Sequence, residues 1–422
     1  MPDEGAARPR GAAVSEQASD ARPPARGARR ALLLGPILAL ALLPSNVVAT
    51  ALPLLRDEWH AGATALGWVF AAYQAGYVAA VLLVLPLTDR FPAGRVIAAC
   101  AAVNGVAFLG FPLLAHGIWS ASALRVLAGA GLAGIYLPGA RVVAAAAPGA
   151  RRGLAVSAYV SAFYFGSALS LWATGALLPS FGWRGAAYLL GVASVVGAPL
   201  AALATRGAPA PPGGTARLSP GVLKDEPIAR TIAAYTAHSW ELYVSRAWLA
   251  GFLATVLAAR GLDTLEASSQ GGQWAALMVG LGTAGVWVGG WLSDRWGRAR
   301  AAVVIATVSG ALSLAVGWLG GAAWAALVAV GCVYGLLLAA DSGIYSAAVI
   351  ELAPPGRIGS AQAAQAFVGF LATILAPVAA GLVLDLGGGF GGAFTLAGAV
   401  GLLGALALAP MARGPWAVGR RP

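Results

Sequence analysis

Five ionisable side chains sit inside long apolar stretches of this 422-residue chain: Arg125, His238, Glu241, Arg246 and Asp341. A charge at the centre of a bilayer costs at least about 2.5 kcal/mol, so embedded charges are functional suspects by default. The five sort into two chemistries. Arg125 and Arg246 can hold an anion, whereas Glu241, His238 and Asp341 can take up and release protons. The densest stretch is His238-Ser239-Trp240-Glu241-Leu242-Tyr243-Val244-Ser245-Arg246. At 1.5 Å rise per residue, Glu241 lies about 15 Å in from Thr231, near a bilayer midplane. At about 100° per residue, His238, Glu241 and Ser245 share one face, and Arg246 points about 140° away from Glu241. Glu241 therefore reads as a coupling carboxylate with His238 as neighbour or relay. The competing reading is a Glu–Arg or Glu–His pair that only locks helix packing.

The other polar residues carry similar alternatives. Arg125 serves a substrate or a helix pair, or else snorkels towards water. Arg246 pairs with a substrate anion or reaches the outer water, and Asp341 lines a cavity or caps a helix. Asn46, Gln74, Tyr77, Gln362 and Gln365 hydrogen-bond a substrate or, more commonly for such residues, bridge helices. Gly129 with Ala133, and Gly285 with Gly289, read as close-packing positions. Other chemistry is missing: there is no Walker A sequence, no metal-ligand spacing around Cys100 and Cys332, and no base beside Ser342 for nucleophilic work. The chain reads as neither an enzyme nor a cofactor protein.

The elements that position these residues follow from hydropathy. The chain is 59% hydrophobic and only 10% charged, against roughly 25% charged in soluble domains. A membrane helix needs about 20 apolar residues. That ruler gives twelve spans, near 31–55, 65–88, 96–115, 120–142, 154–178, 185–205, 231–259, 272–293, 301–319, 323–350, 360–384 and 393–411. Residues 1–30, rich in Arg, Pro, Ala and Gly, read as a disordered tail. Of the 27 basic residues, 22 fall on one side of the spans, three on the other and two within them. Both termini are therefore expected in the cytoplasm. The net charge of +11 is a topological label, and nucleic acid is not an expected partner.

The connection 206–230 divides the chain into bundles 31–205 and 231–411, followed by a cytoplasmic tail 412–422. The two bundles repeat each other. Asp89-Arg90 recurs as Asp294-Arg295 and Arg95 as Arg300, each pair 205 residues apart, and Gly185 to Tyr188 recurs as Gly391 to Phe394. Six spans per repeat keep both bundles in the same orientation.

On these residues the chain resembles the major facilitator superfamily. Gly290-Trp291-Leu292-Ser293-Asp294-Arg295-Trp296-Gly297-Arg298 is similar to the family's loop motif, and Leu87 to Arg95 is its divergent counterpart. Arg125 to Gly131 resembles a second motif, with Ala128 where Gln is common, and Gly182-Trp183-Arg184 is also similar to the family. The resemblance implies an all-α membrane protein of two pseudo-symmetric six-helix bundles. It also implies a central cavity lined by spans 1, 4, 7 and 10, where the five embedded charges fall on spans 4, 7 and 10 only. By resemblance, Asp89, Arg90, Arg95, Asp294, Arg295 and Arg298 form a cytoplasmic gate that stabilises the outward-facing state. Asp and Arg in such a short loop can do this through carboxylate–helix N-terminus and Arg–carbonyl contacts. A GPxxGG-type signature, frequent in exporting antiporters, is absent from Phe165 to Ser170.

The sequence thus predicts a monomeric, multi-pass cell-membrane transporter, without cofactor or metal, that moves a small polar or anionic solute by alternating access with protons. The alternatives are proton-driven efflux of amphipathic compounds and a membrane receptor or scaffold that moves nothing.

Overall fold

The computed structural model describes residues 32–83, 87, 90–147, 152–206, 220–354 and 356–413. The expected tail 1–30, Asp89, most of the linker 206–230 and nearly all of the closing tail lie outside them. No strand occurs among the described residues; the chain is almost wholly helical. A bilayer imposes this, because only a helix satisfies each N–H and C=O within its own apolar segment. The helices in order are α1 (Leu34–Leu42), α2 (Val47–Thr50), α3 (Leu52–Glu58), α4 (Ala63–Leu83), α5 (Ala93–Leu114), α6 (Ile118–Ala146) and α7 (Arg152–Ala204). They continue as α8 (Glu226–Ala258), α9 (Thr264–Trp296), α10 (Arg298–Val316), α11 (Trp324–Ala340), α12 (Ser342–Leu352), α13 (Ile358–Asp385) and α14 (Gly389–Ala412). Among the described residues, eight helices are long and apolar enough to cross a membrane, and the bent first segment makes a ninth.

Three departures from the expected spans matter for the site. The first span is broken, with a 60° bend between 34–50 and α3, and its turn at Leu43–Asn46 frees backbone carbonyls. The tenth is broken at Asp341, which is turn-like (φ −92°, ψ −8°) between α11 and α12. The fifth and sixth form one 53-residue run that leaves helical geometry at Gly182 (φ 61°, ψ 179°), where a side chain would be strained. Side-chain caps start α8 and α9. Asp225 accepts from the Ile228 N–H at the start of α8, and Asp263 accepts from the N–H groups of Leu265 and Glu266 at the start of α9.

Two seams join the sequence halves: α4 against α13 and α7 against α9. Small residues let the backbones approach. A Cβ on Gly67 would lie 2.7 Å from the Pro377 carbonyl, and one on Gly381 would lie 2.6 Å from that of Ala63. At one end of the molecule the seams are hydrogen-bonded. Asp385 accepts from the N–H groups of Ala63 and Thr64, both at 2.8 Å, and Ser269 donates to the Gly175 carbonyl at 2.8 Å. Deeper in, the Tyr164 hydroxyl donates to Ser342 Oγ at 3.1 Å. At the opposite end, Arg298 bonds Ser293, Asp294 and Glu351, all of its own half. Within each half, Gly129 lies against the Tyr73 carbonyl, and Gly285 and Gly289 lie against those of Leu336 and Ala340.

Candidate functional site

A narrow cleft with a cavity of about 50 Å³ lies between the halves, lined from α1, α4, α6 and α7 on one side and from α8 and α13 on the other. Arg125 and Arg246 both face it, together with Gln74, Tyr73, Phe163 and Tyr243. Arg125 is only 4% exposed and is held by the broken first segment. Its Nη1 donates at 2.6 Å to the Ser45 carbonyl, which the turn after α1 leaves without a helical partner. Its Nε donates at 3.4 Å to the Val69 carbonyl, and its guanidinium lies 4.6 Å from the centre of the Tyr73 ring. Arg246 sits among three rings, Phe163, Tyr164 and Tyr243, at 5.1, 5.4 and 5.5 Å. Its Nε–H is buried without a hydrogen-bond partner among the described residues.

Neither arginine has an ion pair among the described residues. Carbonyls and ring faces orient the two guanidinium groups without neutralising them. A buried cation in that condition is an unmet electrostatic demand. Arg125, buried, and Arg246, half-buried, bring that chemistry to one cleft.

The second cluster lies at the break in the α11–α12 span. Asp341 Oδ1 is 2.9 Å from His238 Nδ1, both side chains being buried. At that distance the two are within ion-pair reach, His238 being charged only when protonated. The other carboxylate oxygen accepts from the Tyr345 hydroxyl at 2.7 Å. His238 Nε2 is 2.9 Å from Ser342 Oγ, the oxygen that also accepts from Tyr164 of the other half. Ser342 Oγ therefore links His238 to a residue of the other half.

Glu241 belongs to neither group. Its Oε1 accepts from Ser309 of α10 at 2.8 Å, and its Oε2 occupies the space beside Gly401 of α14. The roughly 60° between residues three apart on a helix sends His238 towards α11 and α12 but Glu241 into the packed interior of its own bundle. The carboxylate and the imidazole expected to act together are thus separated.

The remaining expected residues divide in the same way. Gln74 lines the cleft, whereas Tyr77 packs on Phe370 across the α4–α13 seam, with ring centres 5.0 Å apart. Asn46 bridges α1 to α7 through Ser167 and Ser170, and Gln365 bonds Ser346. In the loop motif, Arg298 donates to Asp294 at 2.7 Å, to Ser293 at 2.8 Å and to Glu351 at 3.1 Å, tying the α9–α10 turn to the end of α12. These are carboxylate contacts where helix-end carbonyls were expected. Arg295 stacks on Trp291, and Arg90 and Arg95 are exposed. The sequence reading passed over Ser342, Tyr164, Tyr345 and Ser309. The polar Asp341-Ser342-Gly343 run inside an apolar span was the one available signal for the first of these.

Comparison with known proteins bears on this geometry. The family model described as Major Facilitator Superfamily matches residues 34–265. A hexuronate transporter of Bacillus subtilis is 25% identical over 390 residues, covering 87% of this chain and 90% of that protein. Among solved structures, a D-xylose–proton symporter superposes with a TM-score of 0.72 at 16% identity, over 94% of this chain and 99% of that one. A bacterial homologue of the human lysosomal transporter Spinster, inward-facing and unoccupied, gives 0.69 at 16% identity, over 92% and 95%. At these identities the two structures speak for the fold alone.

Proposed function

The chain belongs to the Major Facilitator Superfamily, a family of membrane transporters and not of enzymes, and on that premise we propose that it carries a small hydroxylated carboxylate by proton-coupled alternating access. One observation carries the reading: two arginines contributed by opposite halves, Arg125 buried and Arg246 half-buried, face one cleft with no carboxylate paired to either among the described residues. A carboxylate bound there supplies the missing charge through charge-assisted hydrogen bonds. Gln74 and the hydroxyls of Tyr73 and Tyr243 are suited to the hydroxyl groups of such a solute. That a relative is named a hexuronate transporter, hexuronates being carboxylated sugars, supports the same class.

The machine around the site is twelve spans in bundles 31–205 and 231–411, joined by a cytoplasmic linker 206–230, with both termini cytoplasmic and the protein monomeric in the cell membrane. The 22-to-three asymmetry of basic residues supports that orientation. On it, the Asp385 end, where α4 is latched to α13, faces outwards, and the Arg298 end is the cytoplasmic gate. His238 and Asp341 form the coupling pair. Their burial beside the bundle junction supports this role, whereas Glu241 braces the C-terminal bundle.

The test is counterflow of labelled glucuronate in proteoliposomes. Exchange competed by unlabelled hexuronates and not by glucose is expected. Exchange of glucose but not glucuronate, or saturable glucuronate binding with no exchange, overturns the reading.

A further inference from the structure

The proton pair and the substrate arginine are physically connected. From Asp341 the path runs 2.9 Å to His238 Nδ1, then 2.9 Å from His238 Nε2 to Ser342 Oγ, then 3.1 Å to the Tyr164 hydroxyl. The Tyr164 ring in turn lies 5.4 Å from the Arg246 guanidinium, and the two residues border a common pocket beside the cleft. We infer that Ser342 and Tyr164 are positioning residues that transmit the protonation of the His238–Asp341 pair to Arg246 across the bundle interface. This rests on the carboxylate-transport reading for its consequence, but the connection itself can be tested without substrate.

The transmission follows from hydrogen-bond direction. Beside a carboxylate, neutral His238 keeps its single N–H on Nδ1, so Nε2 accepts from the Ser342 hydroxyl. Ser342 Oγ then accepts from Tyr164. A proton taken up from water goes onto Nε2, which becomes a donor, and the Ser342 hydroxyl loses its acceptor. The nearest oxygen able to take the Ser342 proton is that of Tyr164, so this bond reverses as well. The Tyr164 oxygen now accepts from Ser342, and its own O–H turns away, so the dipole beside Arg246 is reoriented. Release of the proton from Nε2 restores the first arrangement. Since Tyr164 and Ser342 come from opposite halves, proton state, arginine position and the contact between bundles change together.

The other groups near His238 do not compete for this role. Tyr345 faces it from α12 with ring centres 5.6 Å apart and bonds the far oxygen of Asp341. Tyr235 of its own helix lies at 6.3 Å, and Glu241 is engaged by Ser309 on the other side. Among the described residues, no charged side chain of α9, α10, α13 or α14 contacts His238.

Two measurements test the inference. In the first, the histidines are labelled with ¹⁵N and the His238 titration is followed by NMR in purified protein, with no solute added. Arg246→Gln should displace the His238 midpoint in the parent protein, and the displacement should vanish in a Ser342→Ala background. An equal displacement in both backgrounds, or none in the parent, overturns the relay. In the second, proteoliposomes compare glucuronate counterflow with accumulation driven by a proton gradient. Ser342→Ala and Tyr164→Phe should keep counterflow and lose accumulation, whereas Ser342→Thr, which retains the hydroxyl, should keep both. Couplings of this kind are typically worth about 5–150-fold. Accumulation equal to that of the parent, or equal loss of both activities with no rescue by Thr, overturns it. Absence of counterflow in the parent protein sinks the transport reading and leaves the NMR result to decide the relay.

Discussion

Arg246 and Glu241 sit five residues apart on one helix, and the protein treats their charges in opposite ways. Glu241 is provided for internally, with a serine donor on α10 and a glycine on α14 that leaves room for its second oxygen. Arg246, like Arg125, is surrounded by rings and has no ion pair among the described residues. Burial alone therefore does not mark function in this molecule. What marks it is a charge whose partner set is incomplete on the side that faces the cleft between the two halves.

The strongest way to break this contrast is to neutralise each charge. Arg125→Gln and Arg246→Gln should each weaken glucuronate transport at least about thirtyfold, since removing one partner of a buried charge pair costs about 2–5 kcal/mol. Glu241→Gln should leave affinity for the solute and coupling to protons nearly unchanged. Transport kinetics in proteoliposomes check both, and a Glu241→Gln protein that exchanges but no longer accumulates would return the coupling role to that residue.

A smaller effect sharpens the structural side. Gly401→Ala places a methyl group against the Glu241 carboxylate and should destabilise the C-terminal bundle by about 1–3 kcal/mol, as overpacking does, with solute affinity intact. Thermal unfolding in detergent reads this. At the Asp385 end, Asp385→Ala removes two backbone hydrogen bonds that hold α4 to α13. Loss of such a cap costs about 0.5–2 kcal/mol and should raise labelling of a cysteine placed at Gly62. Asp385 stands past the apolar part of α13. Burial pushes its carboxyl up, but hydrogen bonds from Thr64 and Ala63, with Arg56 nearby, outweigh burial and hold it below the usual aspartate range. Because this value is depressed on latching, the contribution is complete above the ordinary aspartate value near pH 4 and is lost as pH falls through the lowered one. The same labelling should therefore be flat from neutral pH down to about pH 4 and rise only below it. Smallest of all, Arg298→Ala removes exposed pairs with Asp294 and Glu351 and should cost about 1 kcal/mol or less.

Much of this arrangement could be read from residues alone, because hydropathy and charge asymmetry report directly on a bilayer. The five embedded charges were visible for the same reason. Their partners were not. Whether residue 241 faces a cleft or a bundle interior turns on a rotation of about 60°, which periodicity does not resolve when apolar residues cover the whole circumference. The breaks at Leu43–Asn46 and Asp341 were passed over although Pro44 and Gly343 mark them, and they supply the carbonyl that orients Arg125 and the acid that pairs with His238. The cross-half contact of Tyr164 with Ser342 is 178 residues apart in sequence and depends on how the bundles meet.

The central claim is that the two unpaired arginines exist for a carboxylate. Thermal stability of the purified protein with glucuronate or glucose tests it most directly. The account predicts stabilisation by glucuronate that glucose does not match and that disappears in Arg246→Gln. Equal stabilisation by both sugars, or stabilisation by glucuronate that survives in Arg125→Gln and Arg246→Gln, would contradict it.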